Sequence, residues 1–232
     1  MDDRAVWALC YDTESSQTFA ARFDKREHTW RLWDESHGFP VGQGPTQFVT
    51  DGSSAVVMTY GGGFFHLDAA AGRWREETAA LSRAWAGQEG VRVYQPGLLG
   101  VPPDVWVQGR AQWDDDHKGL PPPRDPLAMR WNASEGFTRM EPPDWAQPTD
   151  ANIRLLGSDL LADDEAVWAM NLLGLWRWDK AAHTWRFLAL PASFPDRHVL
   201  TVGHMERSAD GALWLIGRDT LLRWAAPEES ES

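Results

Sequence analysis

The chain has 232 residues, 43% of them hydrophobic and 15 of them Trp, enough to fill a substantial core. A formal net charge of −12 argues against a nucleic-acid partner, which wants a basic patch, and the single cysteine, Cys10, excludes an internal disulfide and a cysteine-held metal cluster. No stretch reaches the ~20 apolar residues of a membrane span, and the N-terminus is acidic where a signal peptide is basic, so the expectation is a cytoplasmic chain unless it is cut from a longer secreted one.

Residues 5–9, AVWAL, alternate as a strand, and ARFDKREHTWRLW (21–33) follows as strand, turn, strand. The same pattern recurs. AVVMT (55–59) precedes FHLDAAAGRWREE (65–77), DVWVQ (104–108) precedes MRWNASEGFTRME (129–141), and AVWAM (166–170) precedes WRWDKAAHTWRF (176–187). ALWLI (212–216) precedes LRWA (222–225), where the copy is cut short. Aligned on Asp24, Asp68, Asn132 and Asp179, the preceding residue is always apolar, and seven residues later stands Arg31, Arg75, Arg139 or Arg186. From the third residue of the leading strand to the aligned Asp or Asn the spacing is eleven in the second and fourth copies, seventeen in the first and twenty-six in the third. A mid-forties repeat made of strands and turns predicts an all-β protein, a β-propeller of about five blades with mostly four antiparallel strands, a to d.

The repeats run roughly over 1–35, 36–78, 79–141, 142–188 and 189–226, with an acidic, disordered tail at 227–232. Strand b is expected at Val6–Leu9, Val56–Thr59, Val105–Gln108, Val167–Met170 and Leu213–Ile216. Strand a is expected within 47–51, 91–100, 153–163 and 200–208. Gly61–Gly63 turns strand b into c, and 79–90 suits a short helical turn. The first copy lacks strand a and the last lacks strand d. The ring is therefore either five-bladed with an imperfect seam or incomplete and part of a larger one. The missing strands favour the incomplete ring, whose open edges would favour self-association.

SADGALWLIGRDTLLRW (208–224) and AVWAMNLLGLWRWD (166–179) resemble the repeats of two-component-regulator propellers, and GGGFFHLDAAAGRW (61–74) resembles a kelch repeat. The resemblance implies a binding or sensing module and carries no fixed catalytic residue onto this chain.

Asp24, Asp68 and Asp179 read as turn acceptors, His28 and His183 as turn residues, and the recurring Arg as bonded on outer strands. Two b–c excursions, 12–18 and 110–126, share a propeller face with the d–a connections carrying His37, Trp85 and Trp145. Long loops on a rigid scaffold are where binding residues concentrate. The candidate recognition surface is accordingly Trp85, Trp113, Asp114, Asp115, Asp116, His117 and Trp145. It would bind a protein partner or a polar small molecule and would not catalyse. A calcium ion at Asp114–Asp116 is the weaker alternative to a solvated acidic loop, because the spacing and central Gly of a calcium loop are missing; no other cofactor is expected. A glycan-acting enzyme with paired carboxylates and a purely structural fragment are the competing functional readings.

Overall fold

The computed structural model describes residues 4–87, 91–113, 128–140, 161–163, 165–171, 174–189, 204–208, 210–216 and 221–224. By compactness the chain divides into two units, 1–141 and 142–232.

The first unit holds three antiparallel meanders. The first sheet is β1 (Ala5–Asp12), β2 (Gln17–Asp24) and β3 (Thr29–Trp33). The second is β4 (Pro45–Thr50), β5 (Ala55–Thr59), β6 (Phe64–Asp68) and β7 (Arg73–Glu76). The third is β8 (Val91–Val101), β9 (Asp104–Trp113), β10 (Ala128–Asn132) and β11 (Gly136–Met140). A 3-10 turn, Glu35–His37, and a nine-residue helix, α1 (Thr78–Ala86), lie in the two connections between sheets. The second unit holds β12 (Leu161–Ala162), β13 (Ala166–Asn171), β14 (Gly174–Asp179) and β15 (Thr184–Ala189), then β16 (His204–Arg207), β17 (Leu213–Ile216) and β18 (Leu221–Trp224). All five expected b segments are strands, and among the described residues the first and last sheets have three strands each, b to d in the first and a to c in the last. Among the described residues no helix is long and apolar enough to cross a membrane.

Three details differ from expectation. The first-copy excursion at 12–18 is not an inserted loop: β1 and β2 run eight residues each and pair continuously from Ala5↔Asp24 to Asp12↔Gln17. The extra spacing lengthens a hairpin, and only residues 13–16 turn. The excursion at 110–126 is likewise strand at its start, since β9 pairs with β8 out to Trp113↔Val91. The connection expected to hold a short helical turn within 79–90 carries a nine-residue α-helix, Thr78–Ala86.

The second sheet explains why its b strand reads AVVMT with no polar alternation until the end. Every residue of β5 is buried. Val56, Met58 and Phe64 of this sheet join a core with Leu81 and Trp85 of α1 and Val105, Met129 and Trp131 of the third sheet. Ala55 and Val57 face the opposite core with Trp33, Phe39 and Trp74 against the first sheet. A strand covered on both faces reads as a continuous apolar run. In the second unit, Trp168, Leu175, Met205, Leu213 and Leu215 form the core between its two sheets.

The repeated turn has one mechanism. Asp24 Oδ1 accepts the N–H of Arg26 at 2.9 Å and of Glu27 at 3.0 Å; Asp179 Oδ1 accepts those of Ala181 at 3.0 Å and Ala182 at 2.8 Å. Asp68 and Asn132 do the same for Ala71 and Ser134. The turn amides, with Arg22 beside Asp24 and Arg177 beside Asp179, hold these carboxyls below the usual range. Four residues after the aligned position the chain is left-handed: φ is 55° at His28, 63° at Gly72, 77° at Gly136 and 52° at His183. That region costs a side chain ~1–2 kcal/mol relative to glycine. The His rings offset it by packing edge-on against the aromatic residue before the Asp, at 6.3 Å from Phe23 and 5.9 Å from Trp178. His28→Gly is therefore expected to melt higher than His28→Ala by the equivalent of ~1 kcal/mol, since both lose the ring and only Ala keeps the strain. Equal melting temperatures would refute the strain assignment.

Candidate functional site

Of the seven residues expected to form the recognition surface, Trp85 and Trp113 are among the described ones. Trp85 is fully buried, packed in the core between the second and third sheets, and cannot line a recognition surface. Helix formation in the d–a connection turns it inward: Leu81 and Trp85 are four apart and share the buried face of α1. Trp113 ends β9 rather than standing in a loop. Asp114, Asp115, Asp116, His117 and Trp145, with the calcium alternative, lie outside the described residues. His37 Nδ1 lies 2.9 Å from Asp34 Oδ1, within a local cap. Among the described residues no three His, Cys, Asp or Glu side chains gather as a metal site requires.

What the first unit does build is a cavity of about 400 Å³ between β6, α1 and the third sheet. It is lined by His66, Glu77, Arg83, Trp131 and Phe137, with Ala80 and Ala84 along the helix. Each is positioned by strand or helix periodicity. Phe64 and His66 alternate on the face of β6 turned to the third sheet, and Phe64 lies under the aromatic wall, 5.3 Å from Trp131 and 5.0 Å from Phe137. Trp131 and Phe137 are directly opposed across the β10–β11 hairpin. Glu77, Ala80 and Ala84 follow the helical spacing along one stripe of α1.

His66 is the unusual member. Its ring stands 4.9 Å from that of Trp131, and its Nδ1 is buried with no hydrogen-bond partner. The nearest carboxylate oxygen, Glu77 Oε1, is 3.9 Å away, an ion-pair distance beyond hydrogen-bond reach. Glu77 begins α1 without capping it through its side chain, so its carboxylate remains directed to this region. Among the described residues the indole nitrogens of Trp33, Trp74, Trp106 and Trp185 are also buried without hydrogen-bond partners, but none lines the cavity.

Burial draws the His66 pKa below its ordinary 6.5; Glu77 and Asp68 oppose the shift and Arg75 adds to it. The imidazole is thus neutral at physiological pH. As pH falls, the unfolded chain takes up this proton before the folded one. The stability this residue confers is full above about 6.5 and is lost as pH falls through the lower folded value. Urea midpoints from pH 8 to pH 5 should fall more steeply for the native chain than for His66→Gln. Identical pH slopes would assign the acid sensitivity to other groups.

The repeat itself carried a signal for this site. Two residues before the aligned turn position the other copies have Arg22, Arg130, Arg177 and Arg223, and the second copy has His66. Those arginines are each paired: Arg22 with Asp24 at 3.3 Å, Arg130 with Asp104 at 2.6 Å, Arg177 with Asp179 at 3.0 Å and Arg223 with Asp210 at 2.7 Å. A shorter, neutral ring at this position leaves the space open and removes the fixed cation.

No protein-family model matches the chain, and no curated protein matches its sequence. Among solved structures it is similar to the extracellular domain of a hybrid two-component system from B. thetaiotaomicron, with 12% identity and a TM-score of 0.53 over 95% of this chain and 26% of that one. It is also similar to dipeptidyl peptidase 4 from Porphyromonas gingivalis, with 10% identity and a TM-score of 0.50 over 96% of this chain and 36% of that one. The β-propeller domain of the trilobed protease from Pyrococcus furiosus matches at 7% identity and a TM-score of 0.40, over 97% of this chain and 79% of that one. The chain has a β-propeller fold. At such identities the likeness concerns the fold alone, and the chain spans about a quarter to a third of the first two structures.

Proposed function

We propose that this chain is a recognition module that binds a small polar ligand with an apolar body and does not transform it. The observation that supports this reading is the cavity beside His66. An aromatic wall, an alanine floor and a few convergent polar atoms, one of them buried without a partner, are what small-molecule sites have in common. The resemblance of the repeats to sensor-type propellers points in the same direction. The recurring turn carboxylates do not offer a competing catalytic pair, since Asp24, Asp68 and Asp179 each accept turn amides.

A ligand-observed NMR screen of a fragment library, run on the native chain and on Ala84→Trp, tests the reading. Ala84 lines the cavity, and an indole there would fill it. Fragments that bind the native chain, vanish with Ala84→Trp and are recovered chemically unchanged are the expected result. A library with no hits dependent on the cavity, in a variant that retains its circular dichroism and melting temperature, would dismiss the reading.

A further inference from the structure

The cavity's polar groups are not a random set, and their chemistry selects a ligand. Resting on the reading that the cavity binds a small molecule, we propose that it takes a protonated amine seated among Glu77, His66 and Trp131, on an aromatic or alkyl body whose far end carries a carboxylate toward Arg83.

Three independent features converge on a cation at one end. Glu77 supplies a carboxylate whose side chain is 35% exposed and which caps no helix amide. His66 Nδ1, 3.9 Å from that carboxylate, is an acceptor when the ring proton is on Nε2. An ammonium has three donors and no acceptor, so it can satisfy both groups at once. The indole of Trp131, packed against the His66 ring, adds an aromatic surface of the kind that attracts cations. An anionic group in the same position would meet the Glu77 charge and gain no donor from His66 in that tautomer.

The other end is set by the helix. Arg83 lies six residues beyond Glu77, about 9 Å along the axis of α1 at 1.5 Å per residue. Ala80 lies within this stretch and Ala84 one residue beyond it, so the carboxylate and the guanidinium flank a methyl-lined floor. Each charge also stands where the helix dipole favours its sign. Phe137 and Trp131 oppose the floor and suit a flat apolar body.

Three probes that share a phenyl body separate the charges: 2-phenylethylamine, 3-phenylpropionate and L-phenylalanine, titrated calorimetrically into the full chain. The amine should bind at least tenfold tighter than the propionate, and phenylalanine at least as tightly as the amine. Glu77→Gln should weaken both amine-bearing probes by about tenfold, a loss of about 1.4 kcal/mol, and erase their advantage over the propionate. Arg83→Gln should weaken phenylalanine and leave the amine unchanged. His66→Arg, which restores the residue type of the other repeats, should exclude the amine. A propionate that binds as well as the amine, or amine affinity indifferent to Glu77→Gln, overturns the proposal. If none of the probes binds while library fragments still depend on the cavity, the proposal fails and the recognition reading stands. If no fragment depends on the cavity, the recognition reading fails with it.

Discussion

Trp85→Ala is expected to destabilise the first unit by ~3–5 kcal/mol, the range for emptying a large aromatic site in a core that relaxes only partly. The side chain is completely buried among Val56, Met58, Phe64, Leu81 and the aromatic and aliphatic residues of the third sheet. It fastens α1 to both neighbouring sheets, so its loss removes contacts from three elements at once. Since domains are stable by only ~5–15 kcal/mol, a shift of this size should lower the urea midpoint sharply. Trp30→Ala is the control. Trp30 is 60% exposed on the outer strand of the first sheet and has less to lose. A Trp85 variant as stable as the Trp30 variant would contradict the buried position and return Trp85 to the surface.

The same residue marks the boundary of what the sequence made legible. Strand positions followed from alternation and the recurring Asp and Arg, because each copy solves the same local problem: a left-handed turn whose amides need an acceptor. Trp85 lies inside because AALSRAWA, in a connection that a β repeat marks as a surface loop, forms a helix that must bury one stripe. The cavity is not legible in the sequence for a related reason. It depends on α1 lying against β10 and β11, and no spacing in the sequence announces a contact between elements so far apart. Only the substitution of Arg by His66 at a repeated position was there to be read. The departure from the repeat at His66, more than its consensus, distinguishes this blade.

Gly38→Ala should cost roughly 2–5 kcal/mol, against ~1–2 kcal/mol for Gly42→Ala. The two glycines share a left-handed backbone with φ of 78°, so the conformational penalty is common to both. Their surroundings differ. A Cβ on Gly42 would meet nothing within 4 Å, whereas one on Gly38 would lie 2.6 Å from the backbone carbonyl oxygen of Trp74. That carbonyl belongs to β7 and cannot swing aside as a flexible side chain would. Gly38 also closes the 3-10 turn, its N–H donating to Glu35 O at 2.9 Å. Relief would have to come from moving the connection, which would displace the next residue, Phe39. Phe39 is buried, with its ring edge-on to Trp74 at a centroid distance of 5.2 Å, so that route disrupts the core between the first and second sheets. Thermal melts of the two single variants isolate the steric contribution as their difference. Equal losses would mean that backbone conformation alone demands glycine at both positions and that Trp74 can yield.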